Sequence, residues 1–402
     1  MDVVALGESM VTFLPTRPGR LANVPSFERA IGGAESNVAC ALAAAGHTVR
    51  WVSRVGADGF GDHLVETIGG HGVDVTSVGR DPRRPTGVYF RTAGDRATDA
   101  HEVAYYRAGS AASAMSAGTV DLAAVRAGRV LHLSGITAAL SDDCLRLLRE
   151  LTAPRPGRPL ISFDVNHRPG LWHDTDGPHV LLELARAADL VFVGEDEAEE
   201  AWGVTGGPTA VRTLLPEPET LVVKQGARGA TLFERSPAPA DRPDAAAKGC
   251  ARGCPPAAAG VPHRAPPDTT APAGPRTETP RRAPDPTPAP AVPTTGRTRP
   301  PSDATTFVPA LQVDVVAPVG AGDAFAAGFL SATLRGLTAR ARLRHGHLMA
   351  AAALTVHGDL ATPPLRDRAD RLAALSDEAW GRLRLGPGWT QADQAPEEVR
   401  IP

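Results

Sequence analysis

The sequence predicts an α/β fold with a mostly parallel sheet under helices on both faces, and three observations lead there. Apolar runs of strand length recur at residues 3–6, 49–52, 129–133, 160–164, 190–193 and 221–223. Ala-rich segments with helical spacing alternate with them, as at 38–45 before Gly46 and at 342–356. The run at 160–164 ends in the polar stretch Asp164-Val165-Asn166-His167-Arg168, and parallel sheets present ligands at such strand ends.

Taken in order, the first strand runs into Gly7-Glu8 and an alternating stretch through Val11, Phe13 and Leu14. Residues 27–31 then lead to Gly32-Gly33-Ala34-Glu35-Ser36-Asn37 and the first helix. Residues 85–107 alternate as strands do, and with residues 11–30 they predict a small β lid standing on the main domain. A lid excludes water from the chemistry beneath it. The acidic run Gly194-Glu195-Asp196-Glu197 suits the first turn of a helix. Residues 221–230 read as a strand and a glycine-rich turn, with Lys224, Gly226 and Gly229.

Composition breaks at residues 236–310, which hold 19 of the chain's 38 prolines and no Trp or Tyr. Such a stretch cannot bury enough apolar surface to offset its ordering entropy, so it is expected to be a disordered insertion. The expected main domain is then 1–235 with 311–386, including a last helix at 363–375, and a loose tail covers 387–402.

The chain has 402 residues, 42 basic and 45 acidic, for a net charge of -3, which gives no field for nucleic acid. No apolar run reaches membrane-spanning length, and the N-terminus turns polar too early for a signal peptide, so a cytoplasmic protein is expected. Cys40, Cys144, Cys250 and Cys254 are too scattered for a disulfide framework. Cys250 and Cys254 lack the second Cys/His pair that a zinc site needs, with only His263 nearby.

Residues 315–330 read as a strand, a glycine-rich turn and a helix opening at Asp323. Gly320 and Gly322 carry no Cβ, so an anion can approach the backbone amides of 320–323 at the positive end of the helix. Two readings of Asp323 fit these residues. It is an ordinary N-cap, or it is a base beside a phosphate, the arrangement that phosphoryl transfer to an alcohol requires.

Gly-Ala-Gly-Asp-Ala-Phe-Ala-Ala-Gly-Phe at 320–329 closely resembles the C-terminal signature of the PfkB/ribokinase family of carbohydrate kinases. The resemblance covers about residues 1–235 and 311–375 and implies a ribokinase-like three-layer α/β/α sandwich with a small β lid. It implies Asp323 as the catalytic base and Gly320, Ala321 and Gly322 as the anion hole for the transferred phosphoryl group. Gly32-Gly33 followed by Asn37 resembles the family's N-terminal hinge, with Gly33 and Asn37 against the sugar hydroxyls. Lys224, Gly226 and Gly229 match a Lys-x-Gly-x-x-Gly motif on the nucleotide side, and Glu197 matches the Glu that orders water around Mg²⁺.

Tyr105-Tyr106-Arg107-Ala108-Gly109-Ser110 and Asp164-Val165-Asn166-His167-Arg168 resemble the 2-keto-3-deoxygluconate kinase branch. That implies Tyr89, Tyr105, Arg107, Ile136 and Arg168 around a sugar acid, with the arginines suited to its carboxylate. The implied cofactors are ATP and Mg²⁺. Ala317 stands where relatives have an Asp that helps hold a monovalent cation, which speaks against K⁺ activation. The implied partners are small molecules and a second copy of the chain, since relatives often pair through their lids. A neutral-sugar kinase of the fructokinase or ribokinase type, and a sugar-acid sensor without catalysis, are the alternatives.

Overall fold

The computed structural model describes residues 1–17, 19–92, 102–172, 176–235 and 303–391. The main sheet contains β1 (Val3–Leu6), β4 (Val49–Gly56), β5 (Val78–Asp81), β8 (Val130–Ser134), β9 (Leu160–Asp164), β10 (Leu190–Gly194), β11 (Thr220–Lys224), β12 (Gly229–Arg235) and β13 (Asp303–Pro309). Their order across the sheet is β13-β12-β11-β10-β9-β8-β1-β4-β5. Every neighbouring pair from β11 to β5 is parallel, and β12 and β13 add an antiparallel edge.

Successive side chains of a strand point to opposite faces, and the burial follows that rule. Val3, Ala5, Phe192 and Val222 pack into one core with the helices Ala34–Ala44, Ala321–Leu334 and Ala339–Leu354. Val4, Leu6, Val191, Val193, Leu221 and Val223 face a second core with Leu147, Leu148, Leu181 and Val211. Two cores separated by one sheet make the three layers that were expected. The lid is a four-stranded sheet in the order β3-β2-β6-β7, from β2 (Met10–Pro15), β3 (Phe27–Gly32), β6 (Val88–Arg91) and β7 (Val103–Tyr106).

Three expectations are corrected. Residues 303–309, assigned to the disordered insertion, form β13, whose residues pair with β12 from Gly229↔Pro309 to Arg235↔Asp303. An edge strand needs little apolar surface: Val308 is buried while Phe307 is half exposed. Residues 236–302 lie outside the described residues, with Cys250, Cys254 and His263. The tail is tied down at its start, because Trp389 is buried against the first core; residues 392–402 lie outside the description. Finally, residues 315–319, expected to be a strand, form none. Val315 is half exposed, and Val316 N–H donates to the Leu354 carbonyl at the end of a helix, 2.8 Å away. The short strand here is Gln312–Val313, paired with Arg384–Leu385.

Candidate active site

The helix expected to open at Asp323 opens two residues earlier, at Ala321, with Gly320 as its N-cap. Gly320 has φ 73°, a left-handed conformation that costs a residue with a side chain about 1–2 kcal/mol. A Cβ there would also overlap the Asp359 carbonyl. The helical ladder begins with Ala324 N–H donating to Gly320 C=O at 2.9 Å, so the amides of 321–323 lead the helix. Asp323 is therefore a first-turn residue rather than a cap.

Asn37, from the helix Ala34–Ala44, donates from Nδ2 to Asp323 Oδ2 at 2.9 Å. Its Oδ1 is buried and has no hydrogen-bond partner among the described residues, an acceptor left over beside the carboxylate. Burial pushes the Asp323 carboxyl up to about 8; Asp164 and Asp359 push the same way, while the Asn37 bond and Lys224 pull it back. Lys224 Nζ lies 3.6 Å from where a Cβ on Gly322 would be, and it donates to both oxygens of Asp164 at 3.1 and 3.2 Å. The facing carboxylates of Asp164, Glu197 and Asp323 raise the ammonium's pKa, against the opposing effect of burial. The register supplies this convergence, since Phe192 of β10 pairs with Asp164 of β9 and Gly194 with Lys224 of β11.

The hinge expected at Gly32-Gly33 lies where β3 meets the helix. A Cβ on Gly33 would come within 2.5 Å of the Glu8 carbonyl and 2.8 Å of Ser36 Oγ. Glu8, which the sequence reading did not single out, is buried at the end of β1. Its Oε2 accepts from Arg107 Nε at 2.7 Å, and Arg107 Nη2 also binds it. Its Oε1 accepts from Ser110 Oγ at 2.6 Å. Arg107 is thus already ion-paired within the protein, with its guanidinium carbon 5.8 Å from the centre of the Tyr105 ring. Tyr105 is half exposed and leans on Tyr89 with ring centres 5.5 Å apart. The signal for Glu8 was its place, an acidic residue directly after a parallel strand.

The remaining expected residues divide. Ile136 is half buried in the short helix Gly135–Ala138 after β8. That turn is tied to the helix Ala34–Ala44 by Ser134 and Thr137, which donate to buried Glu35 Oε1 at 2.8 and 2.6 Å. Burial raises the Glu35 carboxyl above the usual range. Arg168 has 56% of its side chain exposed and lies 3.7 Å from Glu197 Oε1. Glu197 Oε2 accepts from Gly194 N–H at 2.7 Å, so one of its oxygens caps its own helix. Gly226 holds a left-handed turn at φ 56°. At Gly229 a Cβ would overlap the Val308 carbonyl of β13.

The donor set fits a nucleotide triphosphate in one respect and Mg²⁺ in another. Leading amides at 321–323 and the Lys224 ammonium offer the charge-assisted contacts that phosphate takes. Among the described residues no group of three or more His, Cys, Asp or Glu side chains is placed to hold a metal ion, and Glu197 has one oxygen clear of its cap. Such a set suits a cation that keeps its waters and leans on phosphate oxygens.

A sequence profile described as pfkB family carbohydrate kinase matches residues 1–245 and 297–366. A 2-dehydro-3-deoxygluconokinase of Thermoproteus tenax is 35% identical over 236 residues, 58% of this chain and 72% of its own length. One from Bacillus subtilis (strain 168) is 36% identical over 205 residues, 50% of this chain and 62% of its own. The crystal structure of a PfkB protein from Polaromonas sp. JS666 superposes with a TM-score of 0.67 at 28% identity, covering 92% of this chain and 99% of that one. No helix among the described residues is long and apolar enough to cross a membrane. With a matching profile over most of its length, a three-layer fold and a carboxylate in the glycine turn of a helix, the chain belongs to the pfkB family of carbohydrate kinases and is a carbohydrate kinase.

Proposed function

We propose that this kinase transfers the γ-phosphoryl group of ATP, bound with Mg²⁺, to the terminal (C6) hydroxyl of 2-keto-3-deoxygluconate or a similar sugar acid. The observation that carries the reading is Asp323 at the first turn of its helix, bonded to Asn37 and facing Lys224. Asp323 takes the hydroxyl proton as the new O–P bond forms and the bond from the γ-phosphorus to the bridging oxygen breaks, releasing ADP; the amides of 320–322 with Lys224 hold the charge on the transferred group. Mg²⁺, with Glu197 near its waters, would neutralise charge on the phosphate oxygens. Asn37 Oδ1 accepts from a sugar hydroxyl in this reading, which its buried, unpartnered state among the described residues supports.

Arg107 and Arg168 support a sugar acid over a neutral sugar, and the two relatives described above bear that substrate in their names. Glu8 has a part in this: it fixes Arg107's Nε and Nη2 edge, so a carboxylate would meet the remaining edge of a preset fork. Ala317 supplies no carboxylate for a cation, and the reading includes no K⁺ dependence. A homo-oligomer paired through the lid is also part of the reading. Its support is an aromatic lid cluster of Phe13, Phe27, Phe90 and Tyr106, with Tyr106 66% exposed.

The test is ADP release with 2-keto-3-deoxygluconate beside fructose and ribose, Mg²⁺ present, with and without K⁺. Preference for the sugar acid is expected, and Asp323→Asn should lower kcat by ~10³-fold or more while sugar binding persists. A preference for fructose or ribose would overturn the substrate, and turnover retained by Asp323→Asn would overturn the base.

A further inference from the structure

The segment leaving the helix Ala339–Leu354 carries a contact that the proposed chemistry does not use. Asp359 is buried, and three parts of the molecule meet on it. From lid strand β6, Tyr89 Oη donates to its Oδ2 at 2.7 Å and Arg91 Nη2 donates to its Oδ1 at 2.7 Å. Arg91 Nη2 also reaches the His357 carbonyl at 3.3 Å, so the lid grips both sides of this short segment. From the hinge, Gly32 lies so near that a Cβ would overlap Tyr89 Oη and come within 2.5 Å of Asp359 Oδ2. The Asp359 carbonyl, in turn, fills the space beside Gly320 that a side chain would need.

A buried ion pair is a poor device for stability alone. Only 10% of the Arg91 side chain and 4% of that of Asp359 are exposed, so desolvation cancels much of their attraction. Such a pair fixes geometry, because removing either member leaves a buried charge unmatched. Here the geometry fixed is that of the left-handed Gly320 turn, which has one bond of its own to the following helix, Gly320 C=O to Ala324 N–H. We propose that Asp359 is a positioning residue that locks the Gly320–Asp323 turn to lid strand β6, so that the anion-binding amides are set only while the lid is seated. The proposal rests on reading that turn as the phosphoryl site.

Two measurements on the full-length protein test it. Amide hydrogen exchange without ligand is followed at 319–323 and, as an internal reference, along β11. Asp359→Asn keeps the shape of the side chain but not its charge. Tyr89→Phe keeps ring volume and the Arg91 pair, and so covers the case in which Asp359→Asn does not fold. Exchange at 319–323 should quicken by ~10-fold in each folded variant while β11 is unchanged. At saturating sugar acid and ATP, kcat should fall ~5–10-fold with the sugar KM within about twofold of wild type. Wild-type exchange at 319–323 in folded Tyr89→Phe would overturn the proposal, as would an effect confined to KM, which would make Tyr89 a sugar contact only. The exchange readout needs no turnover, so failure of the substrate or base reading, seen as a wrong sugar preference or an active Asp323→Asn, is told apart from failure of this one.

Discussion

At the first turn of a helix a carboxylate is ordinarily favoured as its anion, yet Asp323 is pushed up to about 8. Burial outweighs the dipole there, and the carboxylates of Asp164 and Asp359 add to it. A base is most effective with a pKa near the working pH, so the shift suits the proton abstraction proposed for Asp323. The sign sets a prediction. Asp323 must be unprotonated to act, so kcat/KM should rise with pH through a limb near 8 in the free enzyme. Asn37 lowers that pKa by donating to the carboxylate, and Asn37→Ala should therefore move the limb upward in pH as well as lowering the plateau. A limb that stays in place or moves down in a pH series of initial rates would remove Asn37 from this role.

One step up, the glycine turn shows two glycines needed for different reasons. Gly320 is required by its own conformation and by the Asp359 carbonyl against it, whereas Gly322 has an ordinary α-helical backbone and only Lys224 Nζ near it, at 3.6 Å. Gly320→Ala should cost at least ~1–2 kcal/mol from backbone strain, read as a lower Tm. Gly322→Ala should leave Tm close to wild type and lower kcat, because its methyl group would stand between the turn and the lysine. Equal losses of Tm in both would contradict the distinction. The elements themselves were legible where periodicity is strong: 3–6, 160–164 and the Ala-rich helices repeat their spacing plainly in sequence. The glycine turn and the carboxylate in it were legible because Gly-Ala-Gly-Asp carries them within four residues. Glu8, Arg91 and Asp359 were harder to read, since each acts through partners 99 to 270 residues away that no local pattern names. The strand β13 was hidden because its mostly exposed residues were averaged into a proline-rich window.

At the scale of the whole chain, β13 decides how the stretch before it relates to the kinase body. Arg235 and Asp303 face each other across an antiparallel ladder, so the chain leaves and re-enters the sheet at adjacent positions. The re-entry is anchored: Arg212 donates to both oxygens of Asp303 at 2.7 and 2.9 Å, and Trp380 Nε1 donates to the Pro309 carbonyl at 2.9 Å. A two-residue Asn-Gly turn has the twist to join such strands. Replacing 236–302 with that dipeptide should leave kcat and both KM values within about twofold. A shorter connection costs less closure entropy, by about 0.6 kcal/mol per halving of its length, so the variant should melt at the same temperature or higher. Calorimetry and the ADP assay on the deletion variant check both points. A lower Tm with reduced turnover would mean that the replaced segment supports the sheet edge, and that the kinase body does not end at the Arg235–Asp303 pair.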